Sequence, residues 1–216
     1  MDKSKQTLLK LVKYNFFSPK KFSSVSKFST PKEFLEIDKN LVRKFEEIQK
    51  KIGFIPNIFY LLARRPIECK AFFDYHDALM TENNSSLDKS EKEMIVVATS
   101  GLNHCHYCVV AHGAILRIYE KNPYIADQIA INHKKSELNF RQRIMLDFAI
   151  KVSKDAENIT EEDHKFLKDN GFTEEDIWDI ISISSFFAMS NRLANAAFLK
   201  PNLEFYSLGR TNNKKT

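Results

Sequence analysis

From residue 38 onward, apolar and polar positions recur with a helical period almost to the end of the chain. Leu41, Val42, Phe45, Ile48 and Ile52 share one face of a segment spanning 38–52, and Gly53 is a natural stop. Phe54-Ile-Pro-Asn57 turns the chain into a short helix near 57–63. Pro66 then opens another helix that runs to about Met80. Asn83-Asn-Ser-Ser86 reads as a loop. Asp88 caps the next helix, with Glu91 three residues on in capping-box position, and that helix reaches about 101–103. A further helix spans about 105–120 and is stopped by Asn122-Pro123, and segments near 125–132 and 138–155 follow. Thr160 and Thr173 each precede a pair of glutamates and have the form of N-caps. The last helix, about 174–198, is rich in Ile, Phe and Ala. Its alternation at Ile181 and Ile183 imitates a strand, but capping and length favour helix. No internal repeat and no second domain is visible. The expected fold is all-α, a single helical domain over 31–209 between a basic leader, 1–30, and a polar tail, 210–216.

Composition leaves this picture intact. Hydrophobic residues make up 43% of the 216, with 18 phenylalanines, while five glycines and six prolines are too few to punctuate a many-stranded β protein. The longest apolar runs, Met94–Leu102 and Ile180–Met189, fall short of the roughly 18–20 residues a membrane span needs, so no membrane partner is expected.

The net charge of +5 is misleading, because residues 1–30 hold seven lysines against one acid and the body is mildly acidic. A phosphate-tracking face belongs on the folded domain, so nucleic acid is not an expected partner. The leader is acid-poor and rich in Ser and Thr. Its Leu8, Leu9, Leu11, Val12 and Phe16 interleave with Lys10 and Lys13 in the manner of an organellar transit segment, although with lysine and no arginine. That reading places the protein in a mitochondrion or other organelle; the alternative, a disordered basic tail, leaves it in the cytoplasm. Three cysteines, two of them three residues apart, make no disulfide framework and suit a reducing compartment.

Chemistry concentrates between Glu91 and His112. With Cys105 as reference and about 100° per residue, Cys108 falls at about 300° and His112 at about 340°, so the three share one helix face. Cys108 and His112 are i, i+4 neighbours, close enough for thiol–imidazole contact. Val109, Val110, Ala111, Ala114, Ile115, Leu116 and Ile118 make the helix apolar nearly all round, which places it in the interior. A thiol in the first helical turn, beside a protonatable imidazole, is biased toward thiolate. Burial opposes that by penalising charge, so a general base is wanted, and Glu93 is the nearest upstream candidate.

A glutamate twelve residues before a Cys-X-X-Cys, with a histidine four residues after the second cysteine, resembles the AhpD signature, and Glu93, Cys105, Cys108 and His112 match it position for position. The helical sequence over roughly 38–205 is similar in arrangement to the peroxidase-related branch of the AhpD-like alkylhydroperoxidase and carboxymuconolactone decarboxylase superfamily. The resemblance implies an AhpD-like helical bundle and a homo-oligomer. It implies a cysteine-based peroxidase or disulfide oxidoreductase without bound cofactor or metal, carrying a redox-active Cys105–Cys108 disulfide. In that reading Glu93 and His112 relay protons to Cys108, which attacks a hydroperoxide as thiolate. Cys105 resolves the sulfenic acid, and an external dithiol or thiol protein reduces the disulfide. One position departs: the best-characterised relay has a histidine immediately before the second cysteine. Here it is Tyr107, a possible supporting residue whose phenol, with a pKa near 10, shuttles protons poorly at neutral pH.

Blander readings stand beside these. Zinc could be held by Cys105, Cys108, His112 and either His104 or His106, but helical geometry turns His106 from the cysteine face and no second ligand pair is visible. On spacing alone Glu93 is equally a solvated first-turn residue. Cys69 reads as an inert thiol, and His76, His133 and His164 as solvated surface side chains. Asn191-Arg192 interrupts the apolar last helix and either closes a polar network against the site or marks a partly exposed turn. Two further classes compete: a carboxymuconolactone-decarboxylase-like enzyme, which needs acid–base groups and no dithiol, and a non-catalytic, sestrin-like interaction protein.

Overall fold

The computed structural model describes residues 25–28 and 39–210 of the chain. Among them are ten α-helices and no strand: α1 (Lys39–Ile52), α2 (Asn57–Leu62), α3 (Pro66–Met80), α4 (Lys89–Leu102), α5 (His106–Glu120), α6 (Ile125–Asn132), α7 (Phe140–Lys154), α8 (Glu161–Asp169), α9 (Glu174–Ala196) and α10 (Glu204–Ser207). The all-α class is therefore realised, with boundaries within a few residues of those the periodicity predicts. The four-residue α10 has no counterpart in the sequence reading. None of these helices is long and apolar enough to cross a membrane.

The chain divides into two compact units, the first taking residues up to Asp74 together with Ala197–Lys200. Its core is the face predicted for α1, with Leu41 and Phe45 meeting Ile55, Phe59, Ala63, Cys69 and Phe73. The rings are ordered: Phe45 meets Phe59 edge-on at 5.3 Å, and Phe59 stacks on Phe73 at 4.0 Å between centroids. Val25 and Ser26, which fall within the predicted leader, are buried here. Lys200 N–H donates to the Val25 carbonyl (2.9 Å), and Lys27 N–H donates to that of Ala197 (3.0 Å). Residues 1–24 and 29–30 of the leader and residues 211–216 of the polar tail lie outside the described residues.

The second unit, Tyr75–Ala196 with Pro201 onward, is built around α4, which packs against α5, α6, α7 and α9. Its start is fixed by a complete capping box, with Glu91 N–H on Asp88 Oδ1 (2.8 Å) and Asp88 N–H on Glu91 Oε2 (3.3 Å). The two threonine caps also form: Asp163 accepts from Thr160 N–H, and Asp176 N–H and Thr173 exchange bonds at the head of α9.

Every residue of α4 from Ser90 to Ser100 is buried, including three consecutive charges. Successive side chains step about 100° round a helix, so each charge meets a different neighbour. Glu91 binds Arg141 of α7 (2.6 Å), Lys92 binds Asp179 of α9 (3.1 Å), and Glu93 binds His112 of α5 (2.8 Å). Lys92 Nζ also donates to the carbonyls of Leu79 and Glu82, which completes its three donors. The far end of α4 is held by proximity of backbones. A Cβ on Gly101 would stand 2.4 Å from the carbonyl oxygen of Ala130 on α6.

Gly101→Ala is accordingly expected to lose about 1–3 kcal/mol of stability in urea unfolding. The loss comes despite the roughly 1 kcal/mol by which alanine is the better helix former. An unchanged or higher midpoint would mean that α4 and α6 separate without cost.

Candidate active site

Three elements supply the site. The first is the tight joint between α4 and α5. His104 takes a left-handed conformation (φ 51°), its N–H reaches Gly101 O (3.0 Å), and Cys105 N–H reaches Ser100 O (2.9 Å). This pair of bonds is the Schellman pattern that satisfies the last carbonyls of a helix, with histidine where glycine is usual. Cys105, having closed α4, is at once the N-cap of α5, and its sulfur accepts the N–H of Cys108 (3.3 Å). Cys108 sits in the first turn, and the two unbonded sulfurs lie 2.6 Å apart. A disulfide would need about 2.05 Å.

The second contribution comes from deeper along α4 and α5. Glu93 Oε2 contacts His112 Nδ1 at 2.8 Å, and both side chains are largely shielded from solvent. Glu93 is thus a buried partner of the imidazole and not a solvated first-turn residue. The His112 ring stands edge-on to Phe187 of α9, 4.8 Å between centroids and 82° between planes.

The third element is α9, where Ser190 and the fully buried Asn191 face the cysteines. From there Asn191 favours ionisation of both thiols, and Ser190 that of Cys108. The Asn191 amide is itself clamped: its Oδ1 accepts from Asn103 (3.0 Å) and its Nδ2 donates to Ser100 Oγ (3.0 Å). Of the two readings of Asn191-Arg192, the polar network is the one observed for Asn191. Arg192 instead donates to the carbonyl of Ala188 on its own helix.

These contacts give the two thiols opposite character. Cys105 is held below the ordinary thiol value, chiefly because the Cys108 thiol donates to its sulfur. The Cys108 N–H and Asn191 add to this against the penalty of burial. Cys108 is driven up, first by donating to Cys105, then by burial and by the neighbouring thiolate, with Asn191 and Ser190 opposing. Geometry alone would let either thiol donate to the other. The backbone N–H already on Cys105 tips the balance, so that Cys105 is the more easily ionised of the two. The resemblance places the attacking thiolate on Cys108, whereas the surrounding contacts favour ionisation at Cys105.

The other sequence candidates fall as follows. Tyr107 is buried in the first turn of α5. His106 turns away from the cysteines to Tyr206 (2.7 Å), and among the described residues no His, Cys, Asp and Glu side chains group to hold a metal. Cys69 is enclosed in the other unit, where burial pushes its thiol up to about 12. The three histidines expected in solvent are instead half-buried. His133 contacts Asp147 at 2.8 Å, and His164 meets the Phe148 ring. His76 packs against Phe186 and Phe187 with its ring 6.4 Å from that of His112. Interleaved charges suggested exposure there; apolar rings on neighbouring helices override it. Ser100, Asn103 and Ser190 were not read from the sequence. Their only signal is polarity at positions that helical spacing assigns to the core.

Residues 69–123 match the carboxymuconolactone decarboxylase family. A peroxidase-related protein of Ralstonia eutropha with an alkylhydroperoxidase AhpD core is 51% identical, with 87% of this chain and 97% of that one covered and a TM-score of 0.84. A peroxidase-related protein of a Silicibacter species is 35% identical over 87% and 97% of the two chains, TM-score 0.82. An Agrobacterium tumefaciens protein of unknown function shares the fold at 19% identity over 66% and 96% of the two chains, TM-score 0.59. No curated protein matches.

The opposed thiols predict how stability depends on pH. An acid depressed in the folded state contributes stability that is full above its unfolded pKa and lost as pH falls through the folded one; Cys105 behaves so. Cys108 has the opposite sign, because the unfolded chain ionises it near 9.0 while the folded protein keeps its proton. The reduced protein is therefore expected to gain stability as pH rises from the folded Cys105 value toward 9.0, and to lose it above. Urea unfolding against a Cys105→Ser, Cys108→Ser double variant reads this directly, since Cys69 contributes equally to both. A flat difference between the two proteins would show that the pair does not share its proton as described.

Proposed function

Because the chain belongs to the AhpD-like carboxymuconolactone decarboxylase superfamily, and its role is peroxidase-related, we propose that it is a thiol-dependent hydroperoxide reductase or dithiol–disulfide oxidoreductase cycling Cys105 and Cys108. The observation that carries this is a buried, unbonded dithiol at a helix N-terminus with a Glu93–His112 contact on the same helix face. A decarboxylase needs no such pair, and a non-catalytic protein has no use for a buried thiol biased toward ionisation.

Each group has a task in this reading. Cys108 keeps its proton at rest, so it needs a base when it attacks, and His112 backed by Glu93 is that base. Its sulfur takes the terminal oxygen of the hydroperoxide. The O–O bond breaks, Cys108 becomes a sulfenic acid, and the departing alkoxide or hydroxide takes the proton and leaves as alcohol or water. Cys105, the more easily ionised thiol, attacks the sulfenic sulfur as thiolate; hydroxide leaves with a proton as water, and the disulfide forms. An external dithiol then restores both thiols by two exchanges and is itself oxidised.

Cys108→Ser is expected to abolish consumption of an organic hydroperoxide. Cys105→Ser should allow one stoichiometric oxidation of Cys108 to sulfenic acid and then stall. Glu93→Gln or His112→Ala should slow the first step by about 10²-fold or more, the range of general base catalysis. Dimedone labelling and mass spectrometry locate the sulfenate. Its appearance on Cys105 in Cys108→Ser at the wild-type rate would reverse the two roles. No peroxide-driven oxidation of either cysteine would place the protein in the non-catalytic class.

The same reading includes a homo-oligomer, supported by Trp178, Met189 and Leu193, which lie exposed within about 60° of one another along the outer face of α9. Light scattering at micromolar concentration should report an assembly that Trp178→Glu with Leu193→Glu reduces to monomer. A wild-type monomer would remove the oligomer from the proposal.

A further inference from the structure

Glu93 and His112 are enclosed, yet a second imidazole stands between them and the surface. The Glu93 and His112 side chains are 7% and 14% exposed, whereas His76 on α3 is 25% exposed and the adjoining Asp77 46%. The His76 ring lies 6.4 Å from that of His112 between centroids, and both rings pack on Phe187 of α9, at 6.3 Å and 4.8 Å. Phe186 adds a further contact to His76 at 6.1 Å. His76 Nδ1 meets Asp77 Oδ1 at 3.0 Å, just as His112 Nδ1 meets Glu93 Oε2 at 2.8 Å. Two carboxylate–imidazole pairs thus stand in series, the second more exposed than the first. Packing on two phenylalanine rings gives no reason for an imidazole at this position, since an apolar side chain fills the space without polar atoms to satisfy.

The reductive half of the cycle needs such a route. When an external dithiol attacks Cys105, the disulfide breaks and Cys108 leaves with the electron pair. The contact with Cys105 and burial both favour a protonated Cys108, so a bare thiolate is a poor leaving group there and a proton has to arrive as the bond breaks. His112 is the donor on that helix face, but the proton it takes from Cys108 in the oxidative half departs in the alcohol or water. It has to be charged again from outside. We propose that His76 acts through His112, carrying a proton from solvent to the buried imidazole each time the Cys105–Cys108 disulfide is reduced. At this ring separation the nitrogens are within reach of one bridging water. The external dithiol loses two electrons and two protons as it becomes a disulfide, and both cysteines regain theirs, Cys108 by way of His76 and His112. The inference rests on the reading of the two cysteines as a redox pair, but not on peroxide as the substrate.

The test forms the disulfide with diamide, which takes up the two hydrogens, and follows its reduction by dithiothreitol at neutral pH with rapid-quench alkylation. His76→Phe keeps an aromatic ring against Phe186 and Phe187 but has no proton to exchange. It is expected to be reduced about tenfold more slowly than the wild type, a smaller loss than the roughly 10²-fold that removal of the direct donor in His112→Ala should bring. His76→Ala should be slowed to the same degree and recover when imidazole is added. Pyrazole, of the same shape but unprotonated at neutral pH, should restore nothing.

A wild-type rate in His76→Phe would overturn the proposal, as would equal recovery of His76→Ala by pyrazole and imidazole, which would trace the loss to packing. If neither variant folds, His76→Gln, which keeps a polar side chain beside Asp77 but carries no proton, should show the same slowing, and a wild-type rate there overturns the proposal equally. Failure of diamide to form the disulfide removes the redox pair, and this inference with it. A disulfide that forms and is reduced at one rate in every His76 variant removes only the path through His76. No step involves peroxide, so a protein inactive on hydroperoxides still answers the question.

Discussion

A helix enclosed on every side cannot leave a charge without a partner, and that constraint organises the second unit. Helix α4 begins Lys-Ser-Glu-Lys-Glu and is buried from Ser90 onward, so Glu91, Lys92 and Glu93 must each find a counter-charge or acceptors on the helix they happen to face. The result pins α7, α9 and α5 to α4 at defined rotations. Breaking one of these pairs leaves the other charge stranded, which typically costs about 3–5 kcal/mol. Rotating α4 by one residue would strand all three. The pairing of Glu93 with His112 is thus more than a feature of the site: it is one of three contacts that determine how α5 presents its cysteines.

The joint between α4 and α5 converts this packing into chemistry. A helix end normally exposes carbonyls, and the next helix start exposes amides. Here Cys105 serves both, closing α4 through its N–H and opening α5 through its sulfur. The sulfur does the work usually given to the oxygen of Ser, Thr, Asp or Asn at an N-cap. A thiolate is the better acceptor for that work, and its charge suits the positive end of the α5 dipole. Burial is what makes the bias decisive, because without solvent to level them the two thiols must share one charge. The ionised state is favoured at Cys105 at the expense of Cys108, whose donated proton is part of the stabilisation. Titrations of the two sulfurs therefore belong to the pair and not to either alone.

Much of this was legible in the order of residues. Helical periodicity located nine of the ten helices, and the caps at Asp88, Thr160 and Thr173 form as their spacing implies. Helix-wheel angles put Cys105, Cys108 and His112 on one face because those three lie on a single helix, where geometry is local. Glu93 is a different case. It is nineteen residues from His112, so the wheel of α5 says nothing about it, and it was singled out by the need for a base and by the family spacing. Asn191, Ser190 and Ser100 show the limit. Asn191 and Ser190 come from α9, and Ser100 meets Asn191 only where the two helices pack, so a polar residue on an apolar face has no sequence address for its partner. His76 fails for the same reason in reverse, since the rings that cover it, Phe186 and Phe187, belong to another helix.

Tyr107 gains a different meaning in this setting. By sequence, losing a histidine before the second cysteine removes a proton carrier between Cys108 and the relay. In the folded protein the two sulfurs lie 2.6 Å apart, so the more easily ionised Cys105 offers the pair an internal acceptor for the Cys108 proton. What the pair lacks is an outlet once that acceptor is itself needed as the nucleophile that closes the disulfide. His112 with Glu93 remains on the same helix face to receive the proton, and Phe187 holds the imidazole ring in place from the other side. A site arranged in this way depends less on the residue at 107 than on the contact that keeps His112 aligned, and that contact is secured by the burial of α4.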